Sequence, residues 1–86
     1  MKAFLAAFDA LPFGTHQGCY QNRPYVLTKS RFAGGRSQKL VAEELGGPDY
    51  ISLNLYRLSS GKSLLKPCEM PEEKVISFVR DVIVSK

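Results

Sequence analysis

The sequence has few of the residue types that enzymes and metal sites most often use. It contains one histidine, His16, and two cysteines, Cys19 and Cys68, in 86 residues. Three such side chains are fewer than the four ligands that a closed structural zinc site usually needs. We therefore expect no metal and no cofactor, and we expect a binding protein rather than an enzyme.

Long apolar runs are also absent. No stretch approaches the roughly 20 apolar residues of a membrane-spanning helix, so we expect no membrane partner. The N-terminal run MKAFLAAFDALPFG has one lysine, and Asp9 and Pro12 interrupt it too early for a secretory signal peptide. We therefore expect a cytoplasmic protein whose two thiols are reduced.

Acidic residues are missing from two long stretches. Residues 19–41 contain five basic residues and no acidic one, and residues 51–68 contain three basic residues and no acidic one. The net charge is +4 at pH 7, which favours anionic partners in general without choosing one. Most acids lie in or beside the segments predicted below to be helices, so we expect a basic sheet and a mixed or acidic helical layer.

The central stretch, residues 31–47 (RFAGGRSQKLVAEELGG), predicts a strand end, a glycine hinge and a short helix. Gly34 and Gly35 permit backbone angles that residues with a Cβ avoid, as a rapid change of direction requires. Ser37 is in position to cap a helix, and the apolar spacing of residues 40–45 fits one helical face. The following Gly46-Gly47-Pro48 run is typical of a helix C-terminus.

The remaining patterns predict one domain, residues 1–86, in which residues 1–13 form either an N-terminal arm or a short helix. Strands are predicted at residues 15–21, 25–32, 50–58 and 63–68, and a final helix at residues 71–84. The order is then β-β-α-β-β-α. This order predicts an α+β two-layer sandwich with a mainly antiparallel four-stranded sheet and two helices on one face.

The uncovered face of this predicted sheet suggests contact with an anionic partner such as nucleic acid. Tyrosines interleaved with cations suit single-stranded nucleic acids, because bases stack on the rings while cations follow the phosphates. A helix N-terminus at Ser37 would add a phosphate-binding site. The predicted anion-binding or nucleic-acid-binding residues are Lys29, Arg31, Arg36, Ser37, Lys39, Tyr56 and Arg57.

Two other functions fit the same sequence. A tyrosine-bearing sheet face is equally suited to a protein partner or to a homodimer. Alternatively, Cys68 or Cys19 carries out thiol-based redox chemistry, since Cys68 shortly precedes the final helix, whose dipole favours a thiolate. A nucleophilic pair of His16 with either cysteine is also conceivable from the residue types.

The runs FAGGRSQKLVAEELGG, DYISLNLYRL and KPCEMPEEKV resemble a family of small bacterial proteins that form a domain of unknown function. The resemblance covers residues 8–79 and leaves both ends variable. It implies a bacterial, cytoplasmic protein. It implies no activity and no site residues.

Overall fold

Six strands and two helices make up residues 2–85, the part of the chain that the computed structural model describes. Met1 and Lys86, which belong to the predicted domain 1–86, lie outside the described residues. The elements in chain order are α1 (Lys2–Ala10), β1 (Gly14–Tyr20), β2 (Arg23–Phe32), a 3₁₀ turn (Ala33–Gly35), β3 (Ser37–Glu44), β4 (Tyr50–Arg57), β5 (Ser63–Pro67), α2 (Glu72–Asp81) and β6 (Ile83–Val84).

The strands form one antiparallel sheet in the order β5-β4-β3-β2-β1-β6. Strands β1 to β5 follow one another as neighbours, and the chain then crosses the sheet as α2 before β6 pairs with the free edge of β1. The prediction of a four-stranded sheet is therefore wrong, because β3 and β6 are additional strands. The predicted order β-β-α-β-β-α is wrong for the same reason.

The predicted central helix is strand β3. Its residues alternate, so that Gln38, Leu40 and Ala42 are buried while the residues between them face the other side of the sheet. Both edges of β3 are hydrogen-bonded, one to β2 and the other to β4. Hydrogen bonding to a strand on each side stabilises the extended conformation of β3. The helical preference of a run of only eight residues is weak by comparison. Ser37 consequently caps no helix; it lies in register between Phe32 and Tyr56.

The glycine hinge joins two adjacent strands instead of a strand and a helix. Gly34 and Gly35 have φ angles of 69° and 94°, in the region that glycine adopts without steric cost. They form the 3₁₀ turn between β2 and β3, and the Arg36 N–H donates to the Ala33 carbonyl oxygen at 3.4 Å. The tight reversal places β3 beside β2 from its first residue.

Both helices cover the same face of the sheet, called the covered face below. The apolar residues of β4 that alternation predicts to point inward, Ile51, Leu53 and Leu55, are fully buried beneath them. Phe78 of α2 packs edge-on against Tyr20 and Tyr25, with ring centroids 5.0 and 5.2 Å away. The opposite face has no helix over it among residues 2–85 and is called the uncovered face.

Helix α2 ends earlier than predicted. It begins after Pro71 and carries Glu72 and Glu73 in its first turn, where the helix dipole favours acids. It stops at Asp81, because residues 83 and 84 pair with Cys19 and Gly18 of β1. Within residues 2–85, no helix is long and apolar enough to cross a membrane.

Candidate functional site

Two of the predicted cations, Lys29 and Arg31 of β2, lie on the opposite face of the sheet from Tyr56. Residues paired in register share a face, and the pairs Arg31 with Gln38 and Gln38 with Leu55 place Arg31 on the covered face. Tyr56 follows Leu55 and therefore points to the uncovered face. The expected interleaving of tyrosines with cations therefore does not include Lys29 and Arg31, because the register pairs Arg31 through Gln38 with Leu55 and not with Tyr56.

Lys29 lies beneath the C-terminal end of α1. Its side chain is 2% exposed, and its Nζ donates to the carbonyl oxygens of Phe8 at 2.6 Å and Leu11 at 2.9 Å. The ammonium also lies over the ring of Phe13, 4.6 Å from the centroid. Burial lowers the pKa of Lys29. Lys29 donates to two carbonyl groups at the end of α1, so it stabilises the helix and does not contribute to an exposed site.

Arg31 and Arg57 also point to the covered side. The Arg31 guanidinium lies over the ring of Phe13, 5.1 Å from its centroid. Arg57 donates to the carboxylate of Asp9 on α1 and, through Nε, to the side-chain oxygen of Gln38 at 3.4 Å. Of the seven predicted site residues, these two and Lys29 are thus separated from Tyr56 by the sheet.

A different set of residues meets on the uncovered face. Two neighbouring lines of paired residues run across β2 to β5 there. The first line contains Phe32, Ser37, Tyr56 and Leu64, and the second contains Ser30, Lys39, Asn54 and Lys66. We call the group formed by Phe32, Ser37, Lys39, Tyr56, Leu64 and Lys66 the Tyr56 surface.

Tyr56 lies diagonally between two lysines. Its direct partners are Ser37 on β3 and Leu64 on β5, so Lys39 and Lys66 are its diagonal neighbours. Diagonal neighbours in an antiparallel sheet are about 7–8 Å apart, within reach of long side chains. Tyr56 is 37% exposed, and Phe32 in the same line is 55% exposed. An aromatic ring flanked by two cations is therefore accessible on the uncovered face.

The sequence reasoning identified Ser37, Lys39 and Tyr56 of this surface and missed Phe32, Leu64 and Lys66. The alternation within β5 separates Leu65, which is buried, from its neighbours Leu64 and Lys66. That alternation is visible in the sequence. Assigning Lys66 to the same face as Tyr56, however, requires the register of β5 on β4.

Basic and acidic residues collect at opposite ends of the strands. The expectation from the sequence was instead a basic sheet and a mixed or acidic helical layer. The 3₁₀ turn and the β4–β5 turn lie at one end of the sheet, and this end carries Arg31, Arg36, Arg57 and Lys62. The opposite end carries Glu43, Glu44, Asp49, Glu69, Glu72 and Glu73. The Tyr56 surface adjoins the basic end.

The two cations described below at the acidic end are paired with carboxylates, whereas at the basic end the described ion pair joins Arg57 to Asp9 on the covered side. Arg23 lies 3.9 Å from Glu44, and Lys74 lies 2.6 Å from Asp49. None of the ion pairs that the structure describes in residues 2–85 includes Arg36, Lys39 or Lys66. These three cations remain available to an external anion.

Tyr25, Asp49 and Lys74 form a polar cluster that ties α2 to the sheet. The Tyr25 hydroxyl donates to Asp49 at 2.7 Å, and the Lys74 ammonium donates to the other Asp49 oxygen at 2.6 Å. Burial, with the bond to Asp49, raises the pKa of Tyr25 to about 12. The hydrogen bond from Lys74 is the main cause of the lowered pKa of Asp49. The cluster is satisfied internally and lies away from the Tyr56 surface.

The cysteines and the histidine do not meet. His16 lies on the covered face of β1, and its Nε2 donates to the Phe13 carbonyl oxygen at 2.8 Å. Cys19, three residues further along the same strand, faces the other way. Cys68 follows β5 on the far side of the sheet and accepts a weak hydrogen bond from Asn54 at 3.6 Å. The conceivable nucleophilic pair of His16 with Cys19 is not formed.

Among residues 2–85, no group of three or more histidine, cysteine, aspartate or glutamate side chains is arranged to hold a metal ion. Comparison of the chain with protein-family models, with curated proteins and with solved structures finds no match. The bacterial family suggested by the sequence runs therefore stays a prediction. Function has to be inferred from the geometry of this chain's own residues.

Proposed function

We propose that the protein binds single-stranded nucleic acid through the Tyr56 surface. The observation that carries this proposal is the position of Tyr56, exposed on the uncovered face with Lys39 and Lys66 on its two diagonals. A base stacks on the tyrosine ring, and the adjacent phosphates contact the two ammonium groups. Arg36, in the turn between β2 and β3, adds a further cation beyond the ends of these strands.

The electrostatic surroundings support an anionic partner. The nearest acid on the same face of β3 is Glu43, four residues from Lys39 and therefore about 13 Å along the strand. The other acids of the β3–β4 turn belong to the opposite end of the sheet. A polyanion approaching the Tyr56 surface thus meets free cations before it meets a carboxylate.

The test is a titration of the protein with a mixed-sequence single-stranded oligonucleotide, followed by fluorescence anisotropy at several salt concentrations. We expect the affinity to fall steeply with salt, because phosphate contacts release counterions. Lys39→Gln should reduce the slope of log K against log salt by about 0.7, the contribution of one phosphate contact to a single strand. Lys2→Gln, which removes an exposed lysine on α1, is the matched control and should leave the slope unchanged.

Tyr56 provides a second readout that does not depend on charge. Tyr56→Ser should weaken binding by about 1–3 kcal/mol, the usual loss when a stacked base loses its aromatic partner. Tyr56→Phe keeps the ring and should bind like the natural protein. Equal affinities for all three proteins, or no binding at low salt, would refute the proposal.

A second candidate function rests on the apolar members of the same surface. Phe32 and Leu64 are 55% and 41% exposed; Leu64 lies beside Tyr56, and Phe32 lies beyond Ser37 in the same line. Exposed apolar side chains grouped on one face are typical of protein contacts, so we propose homodimerisation as the alternative role of this surface. Sedimentation velocity would then show a dimer that persists at high salt. Phe32→Ser should dissociate it, whereas Phe13→Ser, on the covered side, should not.

A further inference from the structure

A cavity of about 580 Å³ lies on the covered side of the sheet, between the C-terminal ends of α1 and α2 and beside β1 and β6. Residues of both helices, of the loop after α1 and of the C-terminal segment line it. Its volume falls in the range of about 300–1,000 Å³ that is usual for small-molecule sites. The Tyr56 surface is on the other side of the sheet, so the cavity is a separate feature.

The wall of the cavity is mainly apolar. The alanine, leucine and valine side chains that line it are Ala7, Ala10, Leu11, Val79, Val82 and Val84. Val82 and Val84 flank the start of β6, which approaches β1 closely at Gly18 because glycine has no side chain there. A concave, mainly apolar wall with a few polar groups is typical of small-molecule sites.

Two nitrogen-bearing side chains, Arg80 and His16, also line the cavity, and no carboxylate side chain of residues 2–85 does so. Arg80 is exposed at the last turn of α2 and takes part in none of the ion pairs described for these residues. A guanidinium beside an apolar wall complements a molecule with an anionic head and an aliphatic body.

We propose that this cavity binds a small aliphatic carboxylate, whose head contacts Arg80 and whose alkyl chain packs against the apolar wall. The chain would displace water from the alanine and valine side chains, and each methylene group should tighten binding by about three- to fourfold until the cavity is full. His16, held by its bond to the Phe13 carbonyl, is a second polar group in the wall of the cavity. This site is independent of the nucleic-acid proposal.

The test uses hexanoate, octanoate and decanoate as probes, each titrated into the folded protein and followed by backbone amide shifts and by calorimetry. We expect shifts centred on residues 7–16 and 79–85, with affinity rising along the series. Octanol should bind more weakly than octanoate, and octylammonium more weakly still, because only the carboxylate is attracted by Arg80. Equal binding of octanoate and octanol, or shifts elsewhere on the protein, would overturn the proposal.

Substitutions at Arg80 and at Ala10 separate the roles of charge and space. Arg80→Gln should lower octanoate affinity at least several-fold and remove the preference over octanol, while Arg80→Lys should restore part of it. Arg23→Gln, the matched loss of an arginine at the distant acidic end, should bind octanoate normally. Ala10→Leu should block the space for the alkyl chain, and it should preserve α1 because both residues are good helix formers. Unimpaired octanoate binding by this variant and by Arg80→Gln would refute the site.

Discussion

The ammonium of Lys29 donates a hydrogen bond of 2.6 Å to the carbonyl oxygen of Phe8, in the last turn of α1. A buried lysine on the central part of the sheet thus holds the end of the N-terminal helix. Because the Lys29 ammonium is buried and bonded to α1, it cannot contact a partner. The basic residues accessible to a partner are those of the uncovered face and of the turns.

Replacing Lys29 should loosen α1. Lys29→Met keeps the bulk of the side chain but removes the ammonium donor to the carbonyl oxygens of Phe8 and Leu11, of which that of Phe8 keeps the Leu11 N–H as a donor at 3.1 Å. We therefore expect a loss of about 1–3 kcal/mol in the free energy of unfolding. Urea denaturation measures the loss, and amide exchange should accelerate in α1 first. Lys2→Met, at an exposed position of the same helix, is the control. Equal stability of both variants would contradict the capping role.

The buried hydroxyl of Tyr25 predicts a loss of stability at alkaline pH. The unfolded chain releases this proton near pH 10, whereas burial holds the folded pKa at about 12. Between these values the folded state binds more protons than the unfolded state, so the free energy of unfolding falls as pH rises from about 10 to about 12. Urea titrations at several alkaline pH values should show that Tyr25→Phe loses this part of the decline. Tyr50→Phe, at an exposed tyrosine, should retain it.

Gly18 permits β6 to pair with β1. A Cβ built at this position would lie 3.0 Å from a methyl carbon of Leu27 and 3.1 Å from the Ile83 carbonyl oxygen. Gly18→Ala should therefore cost about 1–3 kcal/mol of stability, as overpacking usually does, and should expose the amides of β6 to exchange. Gln17→Ala on the same strand is the control. Unchanged protection of Ser85, whose N–H donates to the Gln17 carbonyl oxygen at 2.8 Å, would contradict this expectation.

The two thiols should react at different rates. Cys19 is exposed and Cys68 is partly buried, so a mild alkylating reagent should modify Cys19 several-fold faster in the folded protein. Cys19 lies on β1 and Cys68 directly follows β5; these two strands are four spacings apart, about 19 Å, which is too far for an intramolecular disulfide. Mass spectrometry of the natural protein and of Cys19→Ser measures both rates. Faster modification of Cys68 would instead favour the redox function at that residue.

Several secondary-structure elements could be predicted because a local sequence pattern specifies each of them. The strict alternation of residues 50–57 indicates a strand, and Ile51, Leu53 and Leu55 are buried as the alternation requires. Pro71 followed by two glutamates marks the start of α2 in the sequence and in the structure. The prediction of β3 as a helix was wrong because SQKLVAEE fits both periods over so few residues.

By itself, the sequence determined which segments alternate, where glycine turns the chain and where basic residues outnumber acidic ones. Only the tertiary structure decided on which face each cation lies. A shift of one residue in register moves every side chain of a strand to the opposite face of the sheet. The sequence around Lys29 or Lys66 does not specify that register. The pairing of β2 with β3 buries Lys29, and the pairing of β5 with β4 places Lys66 beside Tyr56. The contacts of neighbouring strands and helices therefore determine the candidate site, since they alone choose between the two faces.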